Sequence, residues 1–328
     1  MKNTKNRKVI MKVEHLSKDF VIHSKKLMEP KKMLHALSDV SFEIYEGETL
    51  GIIGESGCGK STLGRCLVQL HRPTSGTILY EDRDLWSLSG TEHKEARKNI
   101  QMIFQDPYSS LDPRKTASYS IAEAMKVHNL GESARERHQR ALEALQEVGL
   151  DVQHMERYPH EFSGGQRQRV NIARALSISP KVIVCDEPVS ALDVSIQAQV
   201  INLFRKIQQE RKLTYVFISH DLGIIKYISD RIIIMYLGRI VEMYTAEGIY
   251  QNPLHPYTKA LLSAIPPESP FEKRERVTLE GDIPSPIGEQ KGCPLAGRCP
   301  NCMERCRQEI PQLKDQGDGH LTACFLYE

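Results

Sequence analysis

Gly54-Glu-Ser-Gly-Cys-Gly59-Lys60-Ser61 is the stretch on which the reading of this chain turns. Before it runs Thr49-Leu-Gly-Ile-Ile53, an apolar segment suited to a strand buried on both faces. After it, Leu63, Leu67 and Leu70 recur at helical spacing until Pro73-Thr-Ser-Gly76 breaks the pattern. Strand, glycine loop and helix in that order form a G-x-x-x-x-G-K-S phosphate loop. Glycines at these places let backbone N–H groups curl around a β-phosphate, in dihedrals that a Cβ would forbid. Lys60 adds a point charge for the β- and γ-phosphates, the Ser61 hydroxyl is a ligand for Mg²⁺, and the helix aims its positive end at the same anion.

Outward from the loop, half-buried strands are predicted at Val13–Ile22 and Val40–Ile44, and apolar strands at Val182-Ile-Val-Cys185 and Tyr215-Val-Phe-Ile218. Helical patterns cover 133–149 (Leu142, Leu145 and Val148 on one face), 164–177 and 195–211. Strands alternating with helices imply an α/β fold around a largely parallel sheet. The helix-rich stretch 109–164 interrupts that alternation as a subdomain, and residues 253–292, crowded with Pro and Gly, read as a linker or extended wrap. Two further motifs carry chemistry. Val182–Cys185 ends in Asp186-Glu187-Pro188, an acid placed to face Mg²⁺ followed by a candidate general base for water. Ser163-Gly-Gly-Gln166 is a capping box that starts a helix; Gly164 and Gly165 leave that helix start bare, a second anion site.

Composition bounds the partners. The 328 residues are 40% apolar and 26% charged, with a net charge of +2 that gives no bulk attraction to nucleic acid. The basic residues Lys2, Lys5, Arg7, Lys8 and Lys12 read as a solvated, disordered N-terminus over 1–12. No apolar run follows them as in a signal peptide, and none elsewhere approaches the ~20 residues of a membrane span. A soluble cytosolic protein is expected, whose membrane role would need a partner.

With these motifs in order, the chain resembles the ATP-binding-cassette (ABC) ATPases over residues 13–250. Ser163, Gly164, Gly165 and Gln166 resemble the family's signature, although Phe162 stands where Leu is commoner. Gln105 looks like the Q-loop glutamine, Ser190-Ala-Leu-Asp193 like the D-loop, His220 like the switch histidine and Phe20 like the aromatic that stacks on adenine. The resemblance implies a P-loop NTPase (RecA-like) core with an antiparallel β subdomain, a helical subdomain at 109–164 within a nucleotide-binding domain at 13–255, and a small Pro- and Cys-rich extension at 256–328. It implies ATP bound by Phe20, Gly54, Ser56, Gly57, Cys58, Gly59, Lys60, Ser61 and Thr62. Mg²⁺ would be held by Ser61, Gln105 and Asp186, and hydrolysis carried by Glu187, His220 and Gln105. Ser163–Gln166 and Asp193 would face the nucleotide of a second, head-to-tail subunit.

Ile103–Arg114, Tyr158–Ser163, Asn252–Thr258 and Gly281–Pro286 are similar to the oligopeptide/dipeptide importer ATPases. That resemblance implies two transmembrane permease subunits, a second ATPase (a paralogue in preference to a copy), an extracellular or periplasmic solute-binding protein and a place on the cytoplasmic face of the membrane. Related systems take nickel, glutathione or antimicrobial peptides, and an exporter subunit is the other alternative. Five of the eight cysteines lie between Cys293 and Cys324. Spacing alone leaves an iron–sulfur cluster, a zinc site or free thiols open. The pattern Cys293-x5-Cys299-x6-Cys306-x17-Cys324 resembles the peptide-importer ATPases and implies a [4Fe–4S] cluster on those four, with Cys302 a bystander and Zn²⁺ the alternative.

Overall fold

Two long antiparallel strands, β1 (Val9–Ile22) and β2 (Lys32–Tyr45), open the chain, so regular structure begins before Val13 and takes in residues that the sequence assigns to a tail. This computed structural model describes residues 7–22, 32–265, 277–288 and 290–328; residues 1–6 of the expected basic tail lie outside it. β3 (Thr49–Ile53), fully buried, leads through the glycine loop into α1 (Lys60–Leu67). That helix stops a turn earlier than its leucine spacing suggests, and Leu70 is 51% exposed. β4 (Ser75–Tyr80) and β5 (Arg83–Asp84) complete an antiparallel sheet in the order β2-β1-β4-β5, the expected β subdomain.

Next come α2 (Gly90–Asn99), β6 (Ile100–Ile103), α3 (Ala117–Val127), α4 (Ala134–Glu147) and α5 (Gly164–Leu176). Ser133 caps α4 by accepting the Glu136 N–H at 3.1 Å. Its apolar stripe is Ala141, Ala144, Leu145 and Val148, with Leu142 only half-buried, because the small alanines allow α3 and α5 to approach closely. α5 starts on the anticipated capping box: Gln166 N–H donates to Ser163 Oγ at 3.3 Å and Ser163 N–H to Gln166 Oε1 at 3.1 Å.

β7 (Val182–Asp186), α6 (Val194–Arg211), β8 (Thr214–Ile218), α7 (Leu222–Ile228), β9 (Arg231–Tyr236) and β10 (Arg239–Thr245) finish the core. Parallel pairing joins β6, β7, β8, β3 and β9 in that spatial order, and β10 pairs antiparallel to β9. Alternate residues of each strand enter different cores. Val182, Val184, Val216, Ile218 and Ile233 pack towards the β subdomain, while Ile183, Cys185, Tyr215, Phe217 and Ile232 pack towards the helices. Burial on both faces is why these strands read as unbroken apolar runs. Before β3, Glu48 is wholly buried and accepts from Arg231 at 3.1 Å; burial pushes its carboxyl up and the guanidinium opposes that only in part.

Of the stretch 253–292, read as a linker or extended wrap, residues 266–276 and 289 lie outside the described residues; 277–288 run as an extended wrap to a bridge between Leu34 and Ile287, and only the first part departs from the reading by forming a helix. After α8 (Ala246–Gln251), Pro256–Ser263 forms α9, with Tyr257 fully buried. α10 (Glu304–Gln308) belongs to the cysteine-rich lobe, and β11 (Lys314–Asp315) and β12 (Leu321–Thr322) continue the core sheet, β12 pairing with β10 at Glu242↔Thr322. Leu295 enters the main core. Among the described residues no helix is long and apolar enough to cross a membrane.

His255 caps α9, its Nδ1 accepting the Tyr257 N–H at 3.2 Å. Burial first, and Lys259 second, lower its pKa from 6.5 to about 3, so it stays neutral in the folded chain. The unfolded histidine takes up a proton below pH 6.5 that the folded one refuses until about 3. Its contribution to stability is therefore complete above pH 6.5 and drains away as pH falls towards 3. Urea midpoints measured across that window should fall with pH in the parent chain. The slope should be shallower in His255→Asn, which keeps a cap acceptor without a titrating ring; equal slopes would reject this account.

Candidate functional site

The parallel strands carry their loops to one edge of the sheet. Gly54 follows β3 at once, Gln105 comes two residues after β6, Glu187 one residue after β7, and His220 two residues after β8. An open cleft of about 510 Å³ lies there, lined by Phe20, Ser56, Gly57, Gly59, Lys60, Ser61, Thr62, Gln105, Glu187 and His220. Gly59 has φ +102°, and a Cβ on it would stand 2.3 Å from the carbonyl oxygen of Ala36; the loop closes this tightly only with glycine there.

Lys60 is 5% exposed, and its ammonium donates to the carbonyls of Gly54 (2.7 Å) and Glu55 (3.0 Å). Ser61 Oγ donates to Asp186 Oδ1 at 2.8 Å. Asp186 is 2% exposed, and burial raises its pKa against the opposing pull of Ser61 and Arg65. A hydroxyl beside a nearly dry carboxylate, with Gln105 lining the same cleft, is a hard-oxygen donor set that suits Mg²⁺. Gln105 Nε2 donates to Glu187 Oε2 at 3.1 Å, and His220 Nδ1 lies 3.1 Å from the same oxygen. Glu187 holds φ +45°, in the left-handed region, fixed by its N–H donating to Ile218 O and by Ser190 Oγ donating to its carbonyl. Strain of this kind costs about 1–3 kcal/mol and collects at functional sites.

Other anticipated residues stand elsewhere. The Cys58 thiol is buried, 3.9 Å from the Lys60 ammonium, and does not line the cleft. Ser163, Gly164, Gly165, Gln166 and Asp193 do not line it either. The two glycines also have a packing role: a Cβ on Gly165 would meet Ile196 at 2.4 Å and one on Gly164 would meet Leu192 at 3.2 Å, so α5 presses against the start of α6. Asp193 is the N-cap residue of α6 without a side-chain cap bond.

Sequence reasoning missed Leu34, Ala36 and Pro286 among the lining residues. Pro286 arrives from the extension, clamped when His35 N–H donates to its carbonyl at 3.0 Å and Gly288 N–H donates to Met33 O at 3.2 Å. Nothing in the local sequence signals that meeting across 250 residues of chain.

Among the described residues no group of three or more His, Cys, Asp or Glu is placed to hold a metal ion, so neither the expected [4Fe–4S] cluster nor the zinc alternative has a preformed ligand set. No two of the eight cysteines are joined in a disulfide. Cys293, Cys299, Cys306 and Cys324 nonetheless line one small cavity, which Cys302 does not. Burial raises the thiol pKa of Cys293 to about 11 and also raises those of Cys299 and Cys324.

Comparison with known proteins shows the family. The ABC transporter family model matches residues 37–190, and the model of the oligopeptide/dipeptide transporter C-terminal region matches residues 241–306. The oligopeptide transport ATP-binding protein AppF of Bacillus subtilis (strain 168) is 49% identical over 325 residues, covering 98% of this chain and 98% of the relative. The dipeptide transport ATP-binding protein DppF of Escherichia coli (strain K12) is 48% identical, covering 93% of this chain and 90% of the relative. The ATP-binding cassette MJ0796, solved as a dimer in a post-hydrolysis state with ADP and Pi, superposes with a TM-score of 0.63 at 30% identity, over 72% of this chain and 98% of that one. Likeness of this extent covers the cassette and the extension together: the chain belongs to the ATP-binding proteins of the ABC transporter family, on its oligopeptide/dipeptide branch.

Proposed function

We propose that this chain is the ATPase subunit of a peptide importer, binding and hydrolysing ATP at a head-to-tail dimer interface to drive a membrane permease. The observation that carries the catalytic reading is the convergence of Gln105 and His220 on one oxygen of Glu187, beside the phosphate loop. Phe20 offers a ring for the base, and Ser56, Gly57, Gly59, Lys60, Ser61 and Thr62 line the cleft where the phosphates would lie, with Cys58 buried outside that lining. Ser61, Gln105 and Asp186 would hold Mg²⁺, which would supply charge neutralisation at the phosphates. Lys60 leaves the loop carbonyls for the β- and γ-phosphates. Glu187 accepts a proton from the attacking water, and His220 and Gln105 orient the carboxylate and the γ-phosphate.

Glu187→Gln should bind ATP normally and lose about 10²–10⁴ in turnover, the usual worth of a general base. Lys60→Ala should weaken binding itself, and His220→Ala should impair hydrolysis. Steady-state hydrolysis beside equilibrium ATP binding separates these effects, and parent-like turnover in Glu187→Gln would remove Glu187 from the role of base.

Ser163–Gln166 and Asp193 lie outside the chain's own cleft, which supports their facing the nucleotide of a second subunit. The bare start of α5 then receives the partner's γ-phosphate. That partner is a paralogue in preference to a copy. The names of AppF and DppF support peptide as cargo. Two permease subunits, an external solute-binding protein and a place on the cytoplasmic membrane face complete the proposed importer. Lys60→Ala chains mixed with Ser163→Arg chains should regain part of the lost hydrolysis wherever the chain self-associates, since each mixed pair keeps one intact composite site. Continued inactivity would restrict pairing to a paralogue or show that the site is not shared.

The four thiols around one cavity support a [4Fe–4S] cluster held by Cys293, Cys299, Cys306 and Cys324, with a structural or redox-sensing role and no part in hydrolysis. Anaerobically purified protein should be brown, with iron and acid-labile sulfide. Cys306→Ser should lose the colour and Cys302→Ser keep it; a colourless protein with stoichiometric zinc would reject the cluster.

A further inference from the structure

The phosphate loop is held from behind by the extension, through one residue whose every polar group is engaged. Glu55, the second residue of the loop, donates its N–H to Tyr257 Oη at 2.8 Å. Its carbonyl accepts from Lys60 Nζ at 3.0 Å and from the Cys58 N–H at 3.3 Å. Its carboxylate accepts from Arg298 Nη1 at 3.0 and 3.3 Å, and the same nitrogen lies 3.2 Å from Tyr236 Oη. Tyr257 belongs to α9 and Arg298 to the cysteine-rich lobe, 243 residues from its partner. The rings of Tyr236 and Tyr257 pack with centroids 4.7 Å apart, making a plate under the loop.

The Arg298 and Glu55 side chains are only 11% and 26% exposed. Solvent and salt therefore screen the pair far less than a surface bridge. When Lys60 turns towards a phosphate, the Glu55 carbonyl loses the ammonium and keeps only the longer bond from the Cys58 N–H at 3.3 Å, so the other contacts of Glu55 carry more of the loop's restraint. On the proposed reading of the cleft as the ATP site, we infer that Arg298 and Tyr257 are positioning residues for nucleotide binding: they pin Glu55 so that the remaining loop N–H groups keep their phosphate-binding arrangement. The cysteine-rich lobe is in this way a structural part of the phosphate site.

The test is ATP affinity and the ATP dependence of hydrolysis in the full-length chain. Arg298→Ala should raise both Kd and KM for ATP about 10-fold, within the range for coupled contacts, with kcat at saturating ATP nearly retained. Adding Glu55→Gln to Arg298→Ala should recover most of the affinity, because no uncompensated carboxylate then pulls on the loop. A role confined to anchoring the lobe would not be rescued in this way, so a double variant as weak as the single one overturns the inference, as does an unchanged KM in Arg298→Ala. Should Arg298→Ala fail to fold, Tyr257→Phe removes only the hydroxyl that accepts the Glu55 N–H. It should raise KM about threefold, the lower part of the same range, and an unchanged value overturns the inference. A parent chain that binds no ATP would instead remove the functional reading on which this rests.

Discussion

Parallel hydrogen bonding among β6, β7, β8 and β3 is the constraint on which the site depends. Neighbouring strands lie about 4.8 Å apart, so loops leaving their carboxyl ends emerge side by side whatever their separation in sequence. Gly54, Gln105, Glu187 and His220 come from four such exits. Ser61 and Asp186 are 125 residues apart and share a 2.8 Å hydrogen bond for the same reason. The crevice beyond the carboxyl ends of parallel strands is the general place for a ligand in open α/β sheets. Here the helix start at Lys60 adds its N–H groups and dipole to the same place.

The burial that makes these strands rigid also sets the electrostatics of the site. Asp186 ends a strand that is buried throughout, and loss of solvent raises its pKa despite the Ser61 hydroxyl. Such a carboxylate gains from any cation that restores its solvation, which is the demand that Mg²⁺ meets. Glu48, before β3, answers the same problem with Arg231 and the Tyr45 N–H. Two buried acids, one just before β3 and the other at the end of β7, thus differ in use: one is closed by a guanidinium, and the other is bonded to a hydroxyl.

The extension makes the second dependence. A lobe of this size has little core of its own, and its stability comes from attachment. β12 extends the core sheet, Leu295 enters the main core, Tyr257 is buried beneath the phosphate loop and Pro286 reaches the cleft. Packing in this way ties the extension to the cassette. Buried His320, 2.7 Å from Glu242 and stacked on Tyr244, closes the same seam.

By itself the sequence determined the pieces whose signals are local. The phosphate loop shows in glycine spacing, the buried strands in unbroken apolar runs, and the start of α5 in Ser163 and Gln166, because loop dihedrals, two-sided burial and helix caps are each satisfied within a few residues. Resemblance to a family added Gln105, His220 and Phe20, which have no local signal of their own. Only the tertiary structure decided that Gln105 and His220 share one oxygen of Glu187, that Gly165 exists to admit Ile196, and that Arg298 reaches Glu55. Those meetings depend on strand order and on where an apparently linker-like tail finds an unpaired edge beside β10. No pattern in a window of ten residues encodes them, since each is fixed by the packing of segments that lie tens to hundreds of residues apart.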